Sequence, residues 1–162
     1  MYRAEWGLPT VSLRFFNVFG PRQDPSSPYS GVISIFMTQA LAGAPPTIHG
    51  DGRQSRDFIF VGDVVQALIA AATSASAPGR IYNVGTGRAI TINALWEAVA
   101  GLSGSACRAV HGPPRAGDVP QSVSAIDAAA ADLAFMPRVR FEKGLETTIA
   151  WYRAAAAHTS AQ

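Results

Sequence analysis

Three short stretches carry residue types suited to one task, gripping an anionic, ring-bearing ligand. The first is Arg14-Phe15-Phe16-Asn17, followed by Gly20-Pro21-Arg22. An Asn and two Arg beside two Phe make poor core but suit the end of a strand that meets a ligand. Asn17 could donate to a diphosphate or sugar hydroxyl in the crevice at the carboxyl end of an α/β strand. An Asn there could also simply cap a turn. The second stretch is Gly50-Asp51-Gly52 with Ser55-Arg56-Asp57. The glycines permit sharp turns, and Arg56 can reach a phosphate with two parallel N–H···O bonds. The alternative is a surface ion pair with Asp57 or Asp51. The third is Pro113-Pro114-Arg115-Ala116-Gly117-Asp118. Arg115 is a second phosphate fork and Asp118 an acceptor for hydroxyls, or the two form a solvated ion-paired loop. Arg56 and Arg115, about 60 residues apart, could converge on one diphosphate.

Other reactive side chains point to structure. His49, His111 and His158 lack metal-ligand spacing. Cys107 is the single cysteine, so it forms no intramolecular disulfide and reads as a small buried hydrophobe. Gly85-Thr86-Gly87 is a tight turn without the longer glycine fingerprint of a dinucleotide site.

The elements that must position these residues alternate. Strands are expected at Thr10–Asn17, Thr47–His49, Asp57–Val61, Arg80–Val84 and Cys107–His111. Thr10–Asn17 and Arg80–Val84 are apolar enough for the interior of a parallel sheet. A helix over Val32–Ala42 carries Val32, Ile35, Phe36 and Gln39 on one face and ends at Gly43. Asp63 is expected to cap a helix over Val64–Ser74 with Val64, Leu68 and Ala71 on one face. Thr91 caps the next, where Ile92, Leu95, Val99 and Leu102 make one stripe. Two more helices cover Ile126–Leu133 and Phe141–Ala157; the second packs on the outside and frays after Trp151. Loops fill Pro21–Pro28 and Pro113–Val119. The alternation predicts an α/β layer structure.

The chain has 162 residues and is 48% hydrophobic, enough for a real core and against disorder. Thirteen basic residues stand against 11 acidic, a net charge of +2, and they are scattered. That argues against nucleic acid as the partner. No basic-then-apolar leader opens the chain and no apolar run reaches about 18 residues, so no membrane partner and a cytoplasmic protein are expected.

The ordered strings RFFNVFGPRQDP, SPYSGVISIF, IHGDGRQSRDFIFVGDVVQAL, IYNVGTG and PPRAGDVPQS resemble the C-terminal half of the NAD-dependent epimerase/dehydratase family, the extended short-chain dehydrogenase/reductases. They are most similar to the UDP-glucose and UDP-N-acetylglucosamine 4-epimerases. The resemblance implies an α/β fold holding the last parallel strands of an extended Rossmann-type enzyme, interleaved over residues 1–157 with a small α/β substrate-binding lobe. Residues 158–162 are expected to be a frayed tail. It implies UDP-sugar as substrate, NAD as cofactor, a transient 4-keto sugar and, in full-length relatives, a homodimer. Phe15 and Phe16 would lie near the nicotinamide and sugar. Asn17 would contact the diphosphate, Val32 and Ile33 would flank the uracil, and Thr47 to His49 would pass along the uridine. Arg56 and Arg115 would hold the diphosphate, and Asp118 would meet the ribose. The family's glycine-rich turn and its Tyr-x-x-x-Lys pair do not occur in these 162 residues, so no catalytic residue is assigned and the chain is expected to be inactive alone. The alternatives are another enzyme of the family (a nucleotide-sugar dehydratase, decarboxylase or reductase) or a non-catalytic nucleotide-sugar-binding module.

Overall fold

The computed structural model describes residues 2–27 and 31–159, the side chains of the last two aside. Pro28, Tyr29 and Ser30 of the second motif, and the side chain of His158, lie outside the described residues. In chain order the elements are α1 (Tyr2–Trp6), β1 (Ser12–Phe15), β2 (Asn17–Phe19), α2 (Val32–Leu41), β3 (Thr47–His49), β4 (Ser55–Arg56), β5 (Phe58–Phe60) and α3 (Val61–Thr73). Then follow β6 (Ile81–Val84), β7 (Ile90–Thr91), α4 (Ile92–Ser103), β8 (Val110–Gly112), β9 (Gln121–Ser122), α5 (Asp127–Leu133) and α6 (Phe141–Thr159). The result is mixed α/β. Strand pairs β1–β6, β2–β5, β3–β8 and β4–β9 are parallel, and β4–β7 alone among the described pairs is antiparallel.

The expected strand Thr10–Asn17 is two. Ser12 to Phe15 pairs with β6, and from Asn17 the chain pairs with β5 instead. The handover occurs at Phe16, whose N–H donates to the Val84 carbonyl, while the Asn17 N–H donates to Asp57. β1 is not interior: Phe15 is 47% exposed, and Ile81 on its partner is 58% exposed. A strand with one neighbour leaves an open edge. Similarly, the expected strand Asp57–Val61 is shorter, because Val61 already opens α3.

Two groups of apolar side chains form the interior. Ile59, Val64, Ala67, Ala71, Tyr82, Val84 and Leu133 pack under β6 and α3. Phe19, Ile33, Phe36, Met37, Leu95, Trp96, Val99, Leu145 and Ile149 join α2, α4 and α6. α6 is therefore not peripheral. Its Leu145, Ile149 and Tyr152, spaced four and three apart, are buried. Nor does it loosen after Trp151: the Tyr152 hydroxyl donates to the Gln23 carbonyl, and Arg153 Nη2 donates to Leu102 at 2.9 Å.

Other expectations need correction. Asp63 does not cap its own helix. β5 runs straight into α3, which puts Asp63 in the first turn facing inward, where its carboxylate accepts the N–H groups of Arg138 and Val139 at 3.1 and 3.0 Å. Nor does Leu68 share a face with Val64 and Ala71: those two are buried together with Ala67, whereas Val61, Val65, Leu68 and Ile69 form an exposed apolar face. Residues 107–109 are not strand, and β8 begins at Val110. Thr91 does cap α4, accepting from Ala94 N at 3.1 Å.

Candidate functional site

A cleft of about 440 Å³ opens between α2, β3, β4 and the loop that joins β8 to β9. Asn17 marks one end. Val32, Ile35, Phe36 and Gln39 of α2 form one wall, and Thr47, Ile48 and His49 of β3 another. Arg56, Arg115 and Asp118 bring charge to it. The stripe read as one helix face is thus largely the cleft wall; α2 turns Ile33, Met37 and Ala40 to the core, and Phe36 serves both.

The second loop owes its shape to α4. Gly52 has φ of 74°, and a Cβ there would fall 1.9 Å from Asn93 Oδ1. The carbonyls of Gln54 and Gly52 accept the first helical N–H groups, from Ile92 and Asn93, at 3.0 and 3.1 Å. These donors have no partner inside the helix. The GDGRQ segment is thereby pinned, and Gln54 Nε2 holds the His49 carbonyl at 2.7 Å.

Arg56 is aimed by the third loop. Its Nη1 donates to the Ser55 and Val119 carbonyls at 2.7 and 2.6 Å. Nη2 forms an ion pair with Asp118, so neither Asp57 nor Asp51 is its partner. A guanidinium has five N–H donors, which leaves Nε–H and one Nη2–H for an anion. Arg115 is exposed and also lines a shallower hollow with Gly50, Arg53 and Pro114. Arg56 and Arg115 therefore line one cleft, and Asp118 holds Arg56.

A second hollow, of about 350 Å³, shares Asn17 and Val32 with the first and adds Phe16, Gln23, Ile33 and Phe58. Phe15 lines neither hollow, nor do Arg14 and Arg22. One amide hydrogen of Asn17 is committed to the Asp57 carbonyl at 2.9 Å, and the residue lines both hollows.

The residue that sequence reading missed most is Asp57. It is fully buried, and its carboxylate accepts Thr86 N (2.9 Å), Thr86 Oγ1 (2.6 Å), Gly87 N (2.9 Å), Ser124 N (3.1 Å) and Ser124 Oγ. It ties β5, the Gly85–Gly87 turn and the β9–α5 connection together. No local signal marks such a hub, because its partners lie 29 to 67 residues away. A Cβ on Gly85 would meet Ser124 Oγ at 2.3 Å and Asp57 Oδ2 at 2.7 Å. Side chains already fill this turn, so it offers no cradle for a dinucleotide pyrophosphate. The described residues do not fit a complete NAD seat.

A cleft beside the carboxyl end of a parallel strand, with an apolar wall and two arginines, places this molecule among α/β proteins that bind ligands at that crevice. Residues 1–85 match the sequence profile of the NAD dependent epimerase/dehydratase family, and the chain belongs to it. A UDP-glucose 4-epimerase of Mycolicibacterium smegmatis is 37% identical over 153 residues, covering 94% of this chain and 48% of that protein. A UDP-N-acetyl-alpha-D-glucosaminuronate decarboxylase of Bacillus cytotoxicus is 35% identical, over 91% of this chain and 47% of that one. The crystal structure of UDP-glucose 4-epimerase with UDP-glucose from Thermotoga maritima superposes with a TM-score of 0.91 at 37% identity, covering 96% of this chain and 49% of its own. The chain spans about half the length of the curated relatives it matches. Among the described residues, no helix is long and apolar enough to cross a membrane.

Proposed function

We propose that this chain supplies the UDP-sugar-binding part of a nucleotide-sugar 4-epimerase. The observation that carries the reading is the meeting of Arg56, on β4, and Arg115, on the loop between β8 and β9, 59 residues apart, at one cleft with an apolar wall. Two guanidinium groups suit a diphosphate, and the α2 wall suits a planar base. Thr47 and His49 line the same cleft, Asn17 lines both it and the adjoining hollow, and Phe16 and Ile33 line that hollow, where the sugar would reach. Asp118 holds the Arg56 fork in place; the ribose remains a further role for its free lone pairs. In the family reaction NAD supplies the redox chemistry. The residues here bind and orient the sugar nucleotide, and no proton or hydride step is assigned to them, because neither the Tyr-x-x-x-Lys pair nor the glycine-rich turn occurs in this chain. Binding without turnover is the second reading, favoured by that same composition.

Calorimetric titration of UDP tests the site. Loss of one charge-assisted contact costs roughly 1.5–3 kcal/mol, or about one to two decades of affinity. Arg56→Ala and Arg115→Ala should each weaken UDP by that factor. Arg138→Ala, at an exposed position outside the cleft, should not. Equal affinities in all three would make both arginines ordinary surface charges and end the proposal.

A further inference from the structure

We propose that a separate cavity binds a small carboxylate ligand with an apolar body. The cavity has a volume of about 360 Å³ and lies between the turn at Thr86, the connection from α5 to α6 and the start of α6. It shares Phe58 with the hollow beside Asn17, and among the described residues it shares none with the cleft of Arg56 and Arg115. The UDP-sugar reading neither needs it nor explains it.

Its floor is apolar. Phe58 is 4% exposed, and Ile90, Ile126 and Phe141 stand half-buried around the cavity. Its rim is cationic. Arg88, Arg138 and Arg140 line it against one carboxylate, that of Glu142. Glu142 lies 3.8 Å from Arg140, and both side chains are largely exposed. Arg88 and Arg138 have no ion pair among the described residues. The start of α6 adds to the positive potential. Gly144 N–H donates to the Arg140 carbonyl at 2.9 Å, so the N–H groups of Phe141, Glu142 and Lys143 precede the helical ladder. They open a 19-residue helix, whose N-terminal dipole favours an anion.

Exposed arginines alone are ordinary surface. These stand on backbone that two buried carboxylates hold in place. Asp57 accepts the Thr86 and Gly87 N–H groups, each at 2.9 Å, and Thr86 Oγ1 accepts Arg88 N–H at 3.2 Å. Asp63 accepts the N–H groups of Arg138 and Val139 at 3.1 and 3.0 Å. Neither carboxylate lines the cavity. Both walls are thus fixed before a ligand arrives, and binding orders little beyond the arginine side chains. A guanidinium matches a planar carboxylate with two parallel N–H···O bonds. The rim carboxylate of Glu142 opposes a dianion, which favours a carboxylate over a phosphate ester. The volume is near the lower end of the roughly 300–1,000 Å³ usual for ligand pockets, room for one ring and a short side chain.

The test is ligand-observed NMR titration of the 162-residue chain, at micromolar protein, with phenylacetate, phenyl phosphate, acetate and 2-phenylethanol. Phenylacetate should bind saturably, and each of the other three about tenfold or more weaker, since each lacks the ring, the charge or the planar head. Arg88→Ala and Arg138→Ala should each weaken phenylacetate about tenfold. Arg108→Ala, exposed and outside the cavity, should not. UDP should leave phenylacetate bound. Both cavity arginines are exposed, so the two variants should melt with the wild type. No saturable binding of phenylacetate, equal affinity in all variants, or displacement by UDP would overturn the site. Phenyl phosphate binding as tightly as phenylacetate would overturn the choice of head group.

Discussion

Replacing Asp57 should damage the protein more than replacing any cleft arginine, and through stability. Its carboxylate accepts from five donors, three of them backbone N–H groups, of Thr86, Gly87 and Ser124. Asp57→Ala removes the acceptor of the Thr86 and Ser124 N–H groups, while Gly87 N–H keeps Ser124 Oγ at 3.1 Å. At about 1–3 kcal/mol each for the two, the gross cost is at least about 2 kcal/mol. The two hydroxyls add to it, while relief from desolvating a buried charge subtracts. A net loss of about 3 kcal/mol is expected, a large share of the roughly 5–15 kcal/mol typical of a domain. Asp57→Asn keeps the shape and one acceptor oxygen. Its NH₂ is best placed toward Thr86 Oγ1, whose hydroxyl can turn and accept, so the loss should be about 2 kcal/mol. Urea denaturation of the three proteins measures both. The site should also loosen, because the Asp57 carbonyl accepts Asn17 N and Asn17 Nδ2 at 3.0 and 2.9 Å. UDP affinity should fall in Asp57→Asn even where the protein remains folded. If Asp57→Ala unfolds within 1 kcal/mol of wild type, the five-donor network is not holding the connections together and the argument fails.

The purified 162-residue chain with added NAD should show no turnover of UDP-glucose or UDP-N-acetylglucosamine; product above a no-protein control would contradict the assignment of no catalytic base to these residues. Gly144→Ala should destabilise by about 1 kcal/mol: the helix-propensity gain of roughly 1 kcal/mol is outweighed by overpacking of about 1–3 kcal/mol, since the new Cβ would lie 2.7 Å from Phe19 Cζ. A higher melting temperature would show that Phe19 can yield. The apolar face of Val65, Leu68 and Ile69, with Phe15 and Ile81 exposed on β1 and β6, should make the chain self-associate in sedimentation as concentration rises; a monodisperse monomer throughout would refute this.

What could be read in the sequence divides along a physical line. Arg56 and Arg115 stand out beside glycine and proline punctuation, which marks chain reversals whatever the tertiary context, and both line one cleft. Thr91 was legible for a similar reason, since an N-cap is satisfied three residues away, at Ala94. Asp57 was not, because its partners are distant in sequence. Asp63 looked like a local cap and instead serves a loop 75 residues on. Nor could the sequence say that one strand would change neighbours at Phe16, where backbone groups turn from Val84 to Asp57.

The instructive case is α2. Periodicity identified Val32, Ile35, Phe36 and Gln39 as one face, and they are one face. But an apolar stripe has the same pattern whether it meets protein or ligand, because both remove it from water. What distinguishes the two is the polar member. A glutamine in a core-facing stripe would have to find partners within the protein, whereas Gln39 has a buried oxygen with none among the described residues. The exception in the periodic pattern thus carries more functional information than the pattern. In this chain the polar member is Gln39, which lines the cleft beside Ile35 and Phe36.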